Sequence, residues 1–289
     1  MTPTLVQQHL PHPGTATPRD TEACARARDW AEIQERMLVP LYEAVYERLE
    51  VGAHTRLLGL GCGSGLALLI AASRGAAVTG VEPAAHERLA LARERLTPDG
   101  PWGTDCRGDA TRLVKGTPGD AADPALPAYN LVTAFHPIGC MAGDSEGLAA
   151  TLEAAAPLAE RGTPVVLAGW GPPERCTTSA VLRVATRLAD PLRGGGSWRP
   201  ALRDDLEDVA QRAGLKPDGS GRVACPFGYA TMRSAVRGLL STGLFEAAVE
   251  ATDHAQVEKE LTEALHPHLR RDGTVWMANV FRYFIARTT

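Results

Sequence analysis

The spacing of apolar and polar positions changes several times along the chain. Between residues 22 and 49, Trp30, Ile33, Met37, Leu38, Leu41 and Val45 return at three- and four-residue steps, which predicts helix with one buried stripe. Pro40 lacks the N–H that a helical ladder needs, so two helices are expected rather than one. Residues 56–60 form a short apolar run, and it ends in Gly61-Cys62-Gly63-Ser64-Gly65. Residues 65–74 are apolar enough for a buried helix and 76–81 for a second strand. Residues 84–96 suit a helix with Leu89, Ala92 and Leu96 turned inward. Strand, glycine turn, helix, strand, helix is the opening of a parallel α/β sheet.

The alternation continues to the end of the chain. A central strand is predicted at 129–135, a helix at 146–159, a strand at 164–168 and a helix at 177–189. A glycine-rich loop at 193–197 precedes a helix at 201–213, which stops at Gly214, and a short strand at 222–224. Residues 229–270 look helical, with breaks at Gly238, Gly243 and His254. Residues 274–285 read as one long final strand rich in β-branched and aromatic residues. Residues 1–21 are polar and proline-rich, without the basic and apolar regions of a secretory signal, and read as a flexible tail. No linker divides the rest. The expectation is one domain over 22–289, with a helical cover at 22–50 and a helical insertion or lid at 229–271.

Composition narrows the function. The chain has 289 residues, 44% hydrophobic and 22% charged, with a net charge of −4. This is a globular composition. A slightly acidic chain is a poor match for a phosphate backbone, so nucleic acid is not an expected partner. No run of ~18 apolar residues is present to span a membrane. The six cysteines come no closer than 34 residues apart, so no CxxC metal or redox motif exists, and reduced thiols in a cytoplasmic protein are expected.

The glycine turn points to a nucleoside ligand. Glycines let backbone pass close beneath a ligand and aim the next helix's N–H groups at it. A dinucleotide fingerprint would want a third small residue at position 66, where this chain has Leu66, so a pyrophosphate clamp is disfavoured. Glu82 ends the second strand in VTGVEP, and a carboxylate there accepts hydrogen bonds from both ribose hydroxyls. Gly108-Asp109-Ala110 reads as following a weak third strand. The Asp109 side chain and the Ala110 N–H would suit the edge of adenine.

LLGLGCGSG, VTGVEP, GDA and YNLVTAF together resemble the class I S-adenosyl-L-methionine (SAM)-dependent methyltransferases over roughly residues 25–170. WGPPERC, FGY and NVFRYFIART are more loosely similar to the small-molecule branch common in actinobacterial specialised metabolism. The resemblance implies a Rossmann-like, seven-stranded, mostly parallel sheet whose last strand is antiparallel. It implies the cofactor lying across the carboxyl ends of the first, second and fourth strands. The cofactor residues would be Trp30, beside the methionine arm, with Gly61, Cys62, Gly63, Gly65, Glu82, Pro83, Asp109, Ala110 and Phe135. The implied reaction is methyl transfer to oxygen, nitrogen or carbon of a small molecule, leaving S-adenosyl-L-homocysteine. One departure stands out. The family pattern has Asp or Glu two residues before the first glycine, where this chain has Gly59. Losing that charge-assisted hydrogen bond to the methionine ammonium costs roughly 1.5–3 kcal/mol, unless backbone carbonyls or another acid compensates.

Transfer from a sulfonium is an in-line displacement, governed by alignment and exclusion of water. A base is needed only when the acceptor must lose a proton. His136, just past the fourth strand in FHPIGCM, is the candidate base; the alternative is a histidine that only bonds loop backbone. Phe135 is expected to pack on adenine. Cys140 and Met141 are expected in the same pocket, and Trp170 and Glu174 on the loop after the fifth strand. Phe227 and Tyr229 would contact an apolar acceptor or pack in the core, and Glu174 would meet substrate or cap a helix. His254, His266 and His268 lack zinc spacing, and Asp144 is the lone acid soon after the fourth strand, so no metal is expected. Two alternatives stand beside methyl transfer. One keeps the cofactor fold for a cyclase, an isomerase or a non-catalytic partner. The other is a nicotinamide oxidoreductase, disfavoured by the glycine spacing and the missing Tyr-x-x-x-Lys pair.

Overall fold

The computed structural model describes residues 18–84, 86–96, 111–140, 143–189 and 202–289. The chain enters through α1 (Pro18–Asp29), a π-helical turn (Trp30–Gln34), a 3₁₀ turn (Glu35–Leu38) and α2 (Val39–Arg48). Pro40 sits in the first turn of α2, where its missing N–H is harmless. Then follow β1 (Arg56–Leu60), α3 (Leu66–Ser73), β2 (Ala77–Glu82), α4 (His86–Leu96), β3 (Thr111–Lys115), β4 (Leu131–Ile138), α5 (Asp144–Ala155), β5 (Pro164–Trp170), α6 (Thr178–Leu188) and α7 (Asp205–Arg212). The last part comprises β6 (Lys216–Ala224), β7 (Phe227–Tyr229), α8 (Met232–Leu240), α9 (Glu246–Ala251), α10 (His254–Leu265), β8 (Val275–Met277) and β9 (Val280–Arg287).

Seven strands form one sheet in the order β3-β2-β1-β4-β5-β9-β6, and β9 alone runs against its neighbours. This is the expected Rossmann-like sheet with an antiparallel last strand. Successive strand residues bury on opposite faces. Leu57, Val78, Leu131 and Val166 face α2, α3, α6 and the helices α8 and α10. Leu58, Val81, Val132 and Leu167 face α5 and α7. The chain moves outward from β1 to β3 and then crosses back to β4. The switch point therefore lies between β1 and β4, at whose carboxyl ends open α/β sheets bind ligands.

Several elements differ from expectation. The strand expected at 222–224 is the nine-residue β6, Lys216–Ala224, and Tyr229 ends β7 rather than opening a helix. The third strand is Thr111–Lys115, after the GDA tripeptide rather than before it. It is a half-buried edge strand, so its apolar pattern is weak. β4 does not stop at Phe135 but runs to Ile138. Phe135, His136 and Pro137 bulge opposite Ala168, since Ala134 pairs with Leu167 and Ile138 with Gly169. The final strand is two strands. Between them, the Ala278 carbonyl turns to accept from Thr177 N (2.8 Å) and that of buried Asn279 from Cys225 N (2.9 Å). Gly238 does not break a helix. It lies inside α8, where a Cβ would stand 2.9 Å from Ile33 and from Tyr229, so its absence lets α8 close on the N-terminal helices. The glycine-rich loop at 193–197 lies outside the described residues.

Candidate active site

A cleft of about 520 Å³ opens at the carboxyl ends of β1, β2 and β4. That is within the usual range for a site enclosing a small organic molecule. Its floor is the turn after β1. Gly61 and Gly63 have φ of +60° and +56°, a region that side chains rarely adopt. Glu82, at the end of β2, is 7% exposed, and its Oε2 accepts from the Gly63 N–H at 2.9 Å. Its Oε1 also accepts, at 3.4 Å, from the Ala84 N–H. Cys62 lines the floor, but burial, with Glu82 and Glu35 nearby, pushes its thiol up to about 12. It is therefore no nucleophile at neutral pH.

Gly65 belongs to a different contact. It does not line the cleft; a Cβ on it would stand 2.9 Å from the Ala92 Cβ, so this glycine, at φ +79°, lets α3 pack on α4. The expected cofactor residue Gly65 is thus not among those that line the cleft.

The roof comes from the N-terminal helices and α4. Glu35, 3% exposed, accepts at Oε2 from the Ser64 hydroxyl and from Arg95 Nη1 (2.7 Å). Arg95 also donates to the Ser64 carbonyl (3.0 Å) and the Ala31 carbonyl (2.8 Å), tying helices, turn and α4 together. Trp30 is buried in the π turn, and its Nε1 has no hydrogen-bond partner. The Arg88 guanidinium lies 4.3 Å from the centre of the Trp30 rings and donates to the Ser241 carbonyl (2.8 Å). Burial lowers the pKa of Arg88, against the pull of Glu82 and Glu35.

His136 projects from the bulge in β4 into the cleft. The residue is exposed to the open cleft. Desolvation by the protein groups around it, and next the Arg88 cation, hold its pKa below the ordinary imidazole value; Glu82 and Asp144 oppose the shift. The ring is thus neutral at pH 7 and able to accept a proton. Among the described residues it makes no hydrogen bond, to loop backbone or otherwise. Phe135 also lines the cleft, but its ring packs on Tyr42 (4.8 Å between centres) and Tyr46 (5.6 Å), which places it under α2.

The far end of the cleft is formed by Gly116, Thr117 and Pro118 after β3, and by Gly143, Asp144, Gly147, Leu148 and Thr151 of the β4–α5 region. Thr117 donates its backbone N–H (2.7 Å) and hydroxyl (2.8 Å) to Asp120, which holds that carboxyl below its usual range and fixes the loop. The loop at the carboxyl end of the third strand is therefore 116–118. Asp109 and Ala110, expected there, lie outside the described residues, as does Met141.

Trp30, Gly61, Cys62, Gly63, Glu82, Pro83, Phe135 and His136 thus meet in one cleft. Cys140, Trp170, Phe227 and Tyr229 do not line it. The Cys140 N–H donates to Asp144 (3.1 Å) and the residue is buried behind the loop. Trp170 and Phe227 pack on Phe281 (4.6 and 6.0 Å), and buried Tyr229 donates to Gln34 (2.9 Å), so these aromatics are core. Glu174 lies in a 3₁₀ turn and does not line the cleft either. Sequence reasoning missed Glu35, Arg88 and Arg95. The one signal was Gly59, whose missing carboxylate left room for backbone carbonyls or another acid to compensate. Among the described residues no group of three or more His, Cys, Asp or Glu could hold a metal ion, and no helix is long and apolar enough to cross a membrane.

No family model matches the sequence, and no curated protein matches it. Solved structures do. A candidate methyltransferase from Bacillus halodurans is 13% identical, with a TM-score of 0.52 over 86% of this chain and 98% of that one. YjhP from Escherichia coli is 16% identical, with a TM-score of 0.52 over 91% and 98%. A SAM-dependent methyltransferase from Thiobacillus denitrificans, solved with S-adenosyl-L-homocysteine, is 16% identical, with a TM-score of 0.50 over 92% and 99%. The chain has the class I fold of the SAM-dependent methyltransferases.

Proposed function

We propose that the chain transfers a methyl group from S-adenosyl-L-methionine to a small-molecule acceptor. The observation that carries this reading is the meeting of the Gly61 and Gly63 turn with the Glu82 carboxylate, inside one cleft at the sheet's switch point. The residues present fit the cofactor. The left-handed glycines clear a path for it, the Glu82 carboxylate lines the cleft at the end of β2 where a ribose diol would lie, and an unpartnered buried donor waits at Trp30 Nε1. When bound, the cofactor supplies a sulfonium-activated methyl group, whose bond to sulfur breaks as the bond to the acceptor forms.

The chain's own part is to align, exclude water and take a proton. The N-terminal helices and α4 close over the floor, which keeps bulk water from the line of transfer. His136, neutral and open to the cleft, receives the proton of a hydroxyl, phenol or acidic carbon as the acceptor attacks.

Calorimetry with S-adenosyl-L-methionine, S-adenosyl-L-homocysteine and NAD tests the cofactor. Micromolar NAD binding without binding of either sulfur compound sinks the proposal. Gly63→Arg, which puts a long side chain under Glu35 and Trp30, should abolish both cofactor binding and methylated product. For a proton-losing acceptor, His136→Ala should lower kcat by ~10²-fold or more. An unchanged kcat removes the base from the mechanism.

A further inference from the structure

Gly59 leaves the end of β1 without a carboxylate, and the space is not vacant. A Cβ on Gly59 would stand 2.8 Å from Leu68 Cδ2, and Leu68 is fully buried. The floor there is apolar. Directly above Gly63, however, two polar atoms converge. The point where a Cβ on Gly63 would lie is 3.4 Å from Glu35 Oε1 and 3.5 Å from Trp30 Nε1. One is an acceptor with full negative charge, the other a donor. Glu35 is held in place through its second oxygen by Ser64 and Arg95, which leaves Oε1 facing the cleft. Trp30 is 93% buried by its 7% exposure, and Nε1 is a buried donor without a partner. Native proteins rarely leave such a group unpaired unless a ligand satisfies it. The Arg88 cation lies over the same indole.

An acceptor anion beside an unpaired N–H, under a cation, is the complement of an α-amino acid zwitterion. Resting on the cofactor reading above, we infer that Glu35 and Trp30 hold the α-amino-acid end of S-adenosyl-L-methionine from the roof, in place of an acid on β1. The ammonium donates to Glu35 Oε1. The carboxylate accepts from Trp30 Nε1, in the field of Arg88. Recognition of the methionine end therefore moves from the sheet to the helical cover.

The test is calorimetry with three ligands: S-adenosyl-L-homocysteine, its analogue lacking the α-amino group, and 5′-methylthioadenosine, which lacks the whole amino-acid end. Glu35→Gln should weaken S-adenosyl-L-homocysteine by roughly 10–100-fold, as for one charge-assisted hydrogen bond, and leave 5′-methylthioadenosine within about twofold. Trp30→Phe, which keeps the aromatic packing, should show the same selectivity through the carboxylate. If Glu35→Gln weakens both ligands alike, Glu35 is only a clamp on the turn and the inference is overturned; so too if neither variant moves S-adenosyl-L-homocysteine. Should Glu35→Gln fail to fold, the unaltered protein still decides: equal affinity for S-adenosyl-L-homocysteine and its deaminated analogue overturns the ammonium site. Failure of the unaltered protein to bind any of the three ligands would instead overturn the cofactor reading itself.

Discussion

On the floor of the cleft, glycines in left-handed backbone and one carboxylate, Glu82, do the shaping, and the groups involved lie within 22 residues of one another from Gly61. In the roof, Glu35, Arg88 and Arg95 bring full charges out of water, and they come from helices separated by the whole of β1, α3 and β2. The floor depends on what backbone a residue allows. The roof depends on whether each buried charge finds its partner. The difference predicts how each responds to substitution, because a buried charge left alone costs more than a strained turn.

The largest effect should follow from breaking the roof's ion pair. Arg95 and Glu35 have side chains only 14% and 4% exposed. Arg95→Met leaves Glu35 with the Ser64 hydroxyl alone, and should cost ~3–5 kcal/mol of stability by urea unfolding. Arg26 pairs with Glu246 at the surface, both about half exposed. Arg26→Met should cost less than ~1 kcal/mol. If the two variants lose equal stability, burial does not distinguish the roof's charges, and the contrast with the floor collapses.

A smaller effect separates two glycines of the turn after β1. Gly65→Ala must hold a Cβ at φ +79°, against Ala92 at 2.9 Å; Gly61→Ala meets no atom within 4 Å at φ +60°. The first should cost ~2–3 kcal/mol, strain plus overpacking, and the second about 1 kcal/mol, strain alone. Cofactor affinity should respond in the opposite order, since Gly61 lines the cleft and Gly65 does not. Equal affinity losses would put Gly65 back in the binding site.

This contrast also sets how far the chain could be read before its structure. β1 runs over the expected residues, and the glycine turn and Glu82 stand where local spacing puts them, because strand, turn and strand end are adjacent in sequence. The third strand was displaced because TRLVK is a half-buried edge strand with little apolar contrast. Trp170 was expected on the loop after the fifth strand, and for Phe227 and Tyr229 both acceptor contact and core packing stood open. Packing on Phe281 and the bond to Gln34 favour the core. The division of the final strand at Ala278 and Asn279 depends on partners at Thr177 and Cys225, about a hundred and about fifty residues away. Glu35 and Arg95 are 60 residues apart, and no local pattern pairs them. Residues whose role depends on neighbours in sequence were readable. Those whose role depends on a partner brought by folding were not.

The finest test asks whether the roof's charge reaches the floor's base. His136 has its pKa lowered first by desolvation among the groups around it and then by Arg88. Arg88→Met removes the second cause, so the His136 pKa should rise toward the ordinary imidazole value of about 6.5. Titration of the His136 ring by NMR reads this directly, without any acceptor. The sign for stability follows. In the folded protein the imidazole stays neutral where the unfolded chain already binds a proton, so its contribution is fully present above about pH 6.5 and is lost as pH falls through the folded pKa. Arg88→Met narrows the gap between the two pKa values and should reduce that acid-side loss; His136→Asn should abolish this group's share of it. If the His136 titration is the same with and without Arg88, desolvation alone sets the base, and the roof shapes the cleft without tuning its chemistry.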